Sequence, residues 1–248
     1  MRVLLLGGTT EATALAHAFA AAGIDAVFSY AGRTTTPVEQ PLHTRLGGYG
    51  GVSGLAHYLT NAAITHVVDA THPFATQISQ NVIDACAATQ IPVIAFERPA
   101  WVAQPGDDWL HVPDTQAAVA ALPTAPARIF LAIGKKILPA FAAQPLHFYL
   151  LRLVDAPDAA LPLPNAEMIL DRGPFTVESD TALMRAHAIT HIVAKNSGGT
   201  GALAKLEAAR RLHLPVILIA RPAIADRSIA RNILDVMDWL HQSARLGV

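Results

Sequence analysis

Val3-Leu4-Leu5-Leu6-Gly7-Gly8-Thr9-Thr10-Glu11-Ala12 stands almost at the start of the chain, and its reading decides the rest. A run of branched apolar residues with no polar alternation predicts a strand buried on both faces, at Arg2–Leu6. Two glycines stop it, and the alanine-rich stretch Glu11–Ala22 that follows has helical period. A buried strand passing through glycine into a helix is the first step of a parallel sheet covered by helices.

The same alternation continues to the far end. Further strands are predicted at Ala26–Tyr30, His66–Ala70, Val93–Phe96, Arg128–Ile133, His147–Leu153, His191–Lys195 and Val216–Ala220. Further helices are predicted at Ser53–Ala62, Ala75–Thr89, Thr115–Leu122, Asp180–Ala188, Gly201–Leu212 and Ala230–Ala244. Pro123-Thr124-Ala125-Pro126 reads as a linker, because proline fixes φ and has no amide hydrogen to donate.

An internal repeat supports a cut there. Ile64-Thr65-His66-Val67-Val68 returns as Ile189-Thr190-His191-Ile192-Val193, Ile91-Pro92-Val93-Ile94 as Leu214-Pro215-Val216-Ile217, and Arg98-Pro99-Ala100 as Arg221-Pro222-Ala223. Chance resemblance among short helix-to-strand connections is the competing account. The expected fold class is therefore α/β, with two Rossmann-like lobes, mainly parallel sheets and a cleft between them. Residues 1–124 would bind a dinucleotide and residues 125–248 a substrate.

Composition narrows the partners. The 248 residues carry a net charge of −1 and no charged tail, so neither nucleic acid nor membrane is expected. No apolar run approaches the roughly 20 residues that span a bilayer. The opening apolar run stops too soon for an export signal, and the lone Cys86 cannot form an internal disulfide, so a cytoplasmic location is expected. Cys86 lies among alanines in helical surroundings and reads as a core thiol. No metal is expected: His187 and His191 are four apart, but His191 begins a strand and no third ligand is near.

Gly7 and Gly8 would let a pyrophosphate approach the backbone, while the following helix offers unpaired N–H groups. Thr9 or Thr10 can cap that helix and bond a phosphate oxygen, with Glu11 completing the motif. The pattern is Gly-Gly-x-x-Glu and only partly matches G-x-G-x-x-G, so a tight structural turn is the rival reading. The second strand ends in Phe28-Ser29-Tyr30-Ala31-Gly32-Arg33 with no acid to hold a ribose 2′-hydroxyl. Ser29 and Arg33 suit a 2′-phosphate instead, which selects NADPH as the cofactor.

Gly47-Gly48-Tyr49-Gly50-Gly51 is either backbone packed near a ligand, with Gly48 at its centre, or a surface loop. Asp69-Ala70-Thr71-His72-Pro73-Phe74 ends a strand at the carboxyl edge, where ligands collect. Thr71 would face the cofactor. His72 would contact nicotinamide or substrate, or else serve as a capping or packed histidine.

The second half has cationic glycine loops in matching places, at Gly134-Lys135-Lys136 and Lys195-Asn196-Ser197-Gly198-Gly199-Thr200-Gly201. Neither is a Walker A loop. They suit carboxylates better than phosphates, which nominates Lys135, Lys136, Asn196, Ser197, Gly198, Arg98 and Arg221 as substrate contacts.

Taken together, Gly7–Ala12, Phe28–Arg33, Asp69–Ala75, Phe96–Trp101 and Ala194–Gly199 resemble the precorrin-6A reductase family of cobalamin (vitamin B12) biosynthesis. The resemblance spans nearly the whole chain. It implies hydride transfer from NADPH to one double bond of precorrin-6A, giving precorrin-6B. It also implies an anionic tetrapyrrole partner, whose acetate and propionate arms would explain the cationic loops. Reduction needs a proton as well, for which His72 and Lys195 are the candidates. Two other readings stay open: a dinucleotide-sensing regulatory module, and another NADPH reductase of an anionic substrate.

Overall fold

The computed structural model describes residues 1–32, 37–157 and 159–246, with side chains as far as Ser243. Twelve strands are assigned among them. The first five are β1 (Val3–Leu6), β2 (Ala26–Tyr30), β3 (His43–Leu46), β4 (His66–Asp69) and β5 (Val93–Phe96). Then come β6 (Trp109–Val112), β7 (Arg128–Ala132), β8 (Phe148–Leu153) and β9 (Ala166–Leu170). The last three are β10 (His191–Lys195), β11 (Val216–Ile219) and β12 (Ile229–Ala230). The helices are α1 (Thr10–Ala21), α2 (Val52–Asn61), α3 (Thr76–Thr89), α4 (Thr115–Ala120), α5 (Val177–Ala186), α6 (Ala204–Leu212) and α7 (Ile233–Leu246). A 3-10 helix spans Lys135–Ala143.

The fold is α/β, with two six-stranded sheets among the described residues. Their pairings are parallel throughout. The first sheet is ordered β12-β5-β4-β1-β2-β3 and the second β6-β11-β10-β7-β8-β9. Each therefore has the doubly wound order of dinucleotide-binding sheets, with the chain reversing direction between β1 and β4 or between β7 and β10.

Alternation along β1 distributes the first core. Val3 and Leu5 pack with Leu15 and Phe19 of α1 and Val236 and Leu240 of α7. Leu4 and Leu6 point to the other face, against Leu55 and Leu59 of α2 and Val82 and Cys86 of α3. In the second sheet, Phe130, Leu150, Ile192 and Leu218 pack with Met184 of α5 and Leu206 of α6. Both faces of β1 are thus covered, which is why its sequence is a solid apolar run.

The repeat seen in the sequence recurs as contacts. Thr65 Oγ1 accepts from the Arg2 amide at 2.9 Å, and Thr190 Oγ1 from the Arg128 amide at 3.1 Å. His66 pairs with Val3 in one sheet as His191 pairs with Ile129 in the other.

The expected division at Pro123–Pro126 is corrected. One unit comprises Met1–Pro99 with Ala223–Val248, the other Ala100–Pro222. After β5 the chain leaves its own sheet, and β6 pairs with β11 of the other. After β11 it returns, and β12 pairs with β5. The repeated Arg98-Pro99 and Arg221-Pro222 mark the two crossings. Pro123–Pro126 lies inside the second unit, where it joins α4 to β7 as an ordinary turn. No helix among the described residues is long and apolar enough to cross a membrane.

Candidate functional site

At the carboxyl ends of β1 to β4 the first unit holds a cavity of about 450 Å³. Its walls include Gly7, Gly8, Ser29, Gly47 to Gly51, Thr71 and His72. This is the switch point of the sheet, where neighbouring connections run to opposite faces and leave a crevice.

The two glycines of the first loop serve different ends. A Cβ on Gly7 would lie 2.1 Å from Phe28 Cζ, so only glycine lets Phe28 close the core beneath the loop. Gly8 has φ +114°, which side chains rarely adopt, yet a Cβ there would meet open space. Gly7 is therefore a packing glycine and Gly8 a conformational one.

Thr9 caps α1, with Oγ1 accepting from the Ala12 amide at 3.1 Å and donating to the Ala70 carbonyl at 2.9 Å. The helix cannot itself use the amides of Thr10 and Glu11, which point out of its first turn. Thr10 is exposed. The Glu11 carboxylate pairs with Arg98, so the negative charge at this helix start is compensated within the unit. Arg98 thus belongs to the first unit, beside α1.

Ser29 is 3% exposed and accepts from the Tyr49 hydroxyl at 2.7 Å. Burial pushes the Tyr49 phenol above its ordinary value. Arg45 stacks on the Tyr49 ring at 3.9 Å and donates to the carbonyls of Gly47 and Gly48 at 2.5 and 2.8 Å. The glycine cluster is thereby braced from Arg45 and Tyr49, while Gly48, Gly50 and Gly51 are themselves exposed. Arg33, expected beside Ser29, lies outside the described residues.

Asp69, 3% exposed at the end of β4, accepts from the Thr71 amide at 3.1 Å, the Thr71 hydroxyl at 2.6 Å and the Ser79 hydroxyl at 2.6 Å. It also faces Arg227 at 2.7 Å. His72, which follows Thr71, accepts from the Phe74 amide through Nδ1 at 3.2 Å. That bond places the proton of the neutral ring on Nε2.

In the second unit, Lys135 and Lys136 are exposed at the start of the 3-10 helix. Lys195 ends β10, and burial lowers the pKa of its amine. Asn196 is engaged on both sides: Oδ1 accepts from the Trp101 amide at 2.8 Å, and Nδ2 donates to its carbonyl at 3.0 Å. Arg221 donates to the carbonyls of Asn196 and Ser197 at 2.9 and 3.0 Å. The Trp101 indole donates to the Gly199 carbonyl at 2.8 Å, next to Gly198 with φ +67°. Asn196 and Arg221 brace the loop that carries Lys195.

Sequence reasoning passed over Arg45, Tyr49, Trp101 and Arg227. Tyr49 was visible inside the glycine cluster. Arg227, 158 positions from Asp69, left no local signal. Cys86 is buried in the core, where desolvation pushes its thiol up to about 12, as suits a packing residue.

Residues 2–241 match the family described as precorrin-6x reductase CbiJ/CobK. A precorrin-6A reductase of Rhodobacter capsulatus is 62% identical over 100% of this chain and 99% of its own. A cobalt-precorrin-6A reductase of Priestia megaterium is 32% identical over 98% of this chain and 99% of its own. A solved structure of CobK precorrin-6A reductase superposes with a TM-score of 0.96 at 61% identity, covering 98% of this chain and 96% of that one. The chain belongs to the precorrin-6x reductase family.

Proposed function

We propose that the chain reduces precorrin-6A, taking NADPH into the cavity of the first unit and the substrate's carboxylates onto the cationic loops of the second. The observation that carries the cofactor half is the cavity itself. It joins the glycine loop after β1 to the end of β2, two of the features a dinucleotide needs, and Gly8 leads directly into the cap of α1. The residues fit the group: backbone amides at Thr10 and Glu11 for the pyrophosphate, and a buried hydroxyl at Ser29 in place of an acid. Arg33 supports NADPH from sequence alone.

The substrate half rests on kinship and charge. Identity is 62% to a precorrin-6A reductase and 32% to a cobalt-precorrin-6A reductase, which favours a ring without cobalt as substrate. NADPH, when bound, supplies the hydride. Thr71 and His72 would orient it against the cavity wall. Lys135, Lys136 and Lys195 would gather the carboxylate arms. A proton would come from Lys195 Nζ or His72 Nε2.

The test mixes purified protein, NADPH and precorrin-6A and follows reduced-nicotinamide absorbance. Consumption with NADPH, far slower with NADH, is the expected result. NADPH binding without consumption would favour the sensing module. Consumption with another anionic acceptor but not this tetrapyrrole would move the reading to a different reductase.

A further inference from the structure

Arg227 lies in the segment that returns from the second unit, two residues before β12. Its side chain is only 7% exposed. One nitrogen donates to Asp69 Oδ2 at 2.7 Å and another to Glu97 Oε2 at 3.2 Å. The guanidinium thus reaches the carboxyl ends of β4 and β5, where Asp69 and Glu97 stand. Asp69 holds Thr71 by both amide and hydroxyl, and Thr71 and His72 line the cavity. A continuous run of charge-assisted hydrogen bonds thus leads from Arg227 to the cavity wall.

We propose that Arg227 is a positioning residue for the cofactor, orienting the Asp69 carboxylate so that Thr71 and His72 keep the wall in its binding geometry. The proposal rests on reading the cavity as the NADPH site. Two observations give it direction. A single guanidinium faces two carboxylates, with Asp69 side-chain exposure of 2% and Glu97 of 18%. A planar fork can serve both, whereas a lysine offers one compact charge. Further, a buried carboxylate deprived of its cation must take up a proton or turn away. Either change is passed directly to Thr71, because Asp69 Oδ1 carries both bonds to that residue.

The test uses the full-length protein, with NADPH titrated by its fluorescence and folding followed by thermal denaturation. Arg227→Lys should bind NADPH about tenfold more weakly, the scale of one charge-assisted hydrogen bond. The Michaelis constant for the tetrapyrrole should stay within about twofold. Thr71→Val should lose a comparable amount, and the two changes together should lose no more than Thr71→Val alone, since both act through one contact chain. Losses that multiply would overturn the proposal, as would wild-type affinity in Arg227→Lys. If Arg227→Lys does not fold, Asp69→Asn with Arg227→Gln removes the buried charge and its partner together. Weakened NADPH binding in that pair supports the proposal, and wild-type affinity overturns it. A wild-type protein that does not bind NADPH would overturn the cavity reading and this proposal with it. Unaffected variants beside a binding wild type would overturn the positioning role alone.

Discussion

The Tyr49 hydroxyl donates to Ser29 Oγ across 2.7 Å, tying the glycine cluster to the end of β2. Because Ser29 accepts that bond, its own hydroxyl hydrogen remains available to a second partner. Burial keeps Tyr49 protonated, so the bond persists across the neutral and mildly alkaline range. Tyr49→Phe frees Ser29 to turn and donate elsewhere. We expect NADPH affinity to fall by about 1 kcal/mol, the net worth of an ordinary hydrogen bond. On the proposed reading Ser29 meets the 2′-phosphate, so NADH affinity should change less. Parallel titrations with the two nucleotides check this, and equal losses would detach Ser29 from phosphate selection.

The two loop glycines should fail in different ways. Gly7→Ala drives a methyl into the Phe28 ring, and overpacking of this kind costs about 1–3 kcal/mol. Adding Phe28→Leu should recover part of that loss. Gly8→Ala meets no atom but must hold φ +114°, a backbone strain of about 1–3 kcal/mol that no neighbouring substitution can relieve. Denaturant midpoints of the two singles and of each with Phe28→Leu decide it. Rescue of Gly8→Ala by Phe28→Leu would refute the distinction.

The strands legible in the sequence are those buried on both faces. Ala26–Tyr30, Val93–Phe96 and His191–Lys195 have the expected bounds, and β1, β4, β7, β8 and β11 differ by one residue at one end. The edge strands β6, β9 and β12 carry exposed or half-exposed residues, so no apolar run announces them. The edge strand β3 is likewise largely exposed. Missing β6 and β12 concealed the crossing, because those are the strands that change sheets. The site was legible where it is local, as at Gly7–Glu11 and Asp69–His72. It was illegible where it depends on pairing across the chain, as in Arg227 with Asp69 or Trp101 with Asn196.

The crossing has a consequence for folding. Residues 1–124 contain the glycine loop but lack β12 and α7, whose Val236 and Leu240 pack on Val3 and Leu5. That fragment should expose an apolar face and a bare edge at β5, and should aggregate. A polypeptide joining 1–99 to 223–248 through a flexible linker restores the first core and should fold and bind NADPH alone. Circular dichroism, sedimentation and NADPH titration compare the two. A soluble, NADPH-binding 1–124 fragment would show that the returning segment is dispensable.

Lys195 carries the sharpest prediction about the reaction. A general acid works only while protonated, so turnover falls as pH rises through its pKa. Burial lowers the Lys195 amine from its ordinary value, which moves that alkaline limb toward neutral pH. Lys195→Arg keeps a cation for the substrate's carboxylates but cannot release a proton, because guanidinium stays charged. Its Michaelis constant should therefore change little, while turnover drops by about 10²-fold, the lower end of general acid catalysis. Lys195→Ala should lose turnover and raise the Michaelis constant as well. Lys135→Ala, at an exposed site, should raise the Michaelis constant only, and the effect should shrink as salt screens the pair. Wild-type turnover in Lys195→Arg would remove Lys195 from proton delivery and leave His72, whose Nε2 carries the proton on the neutral ring.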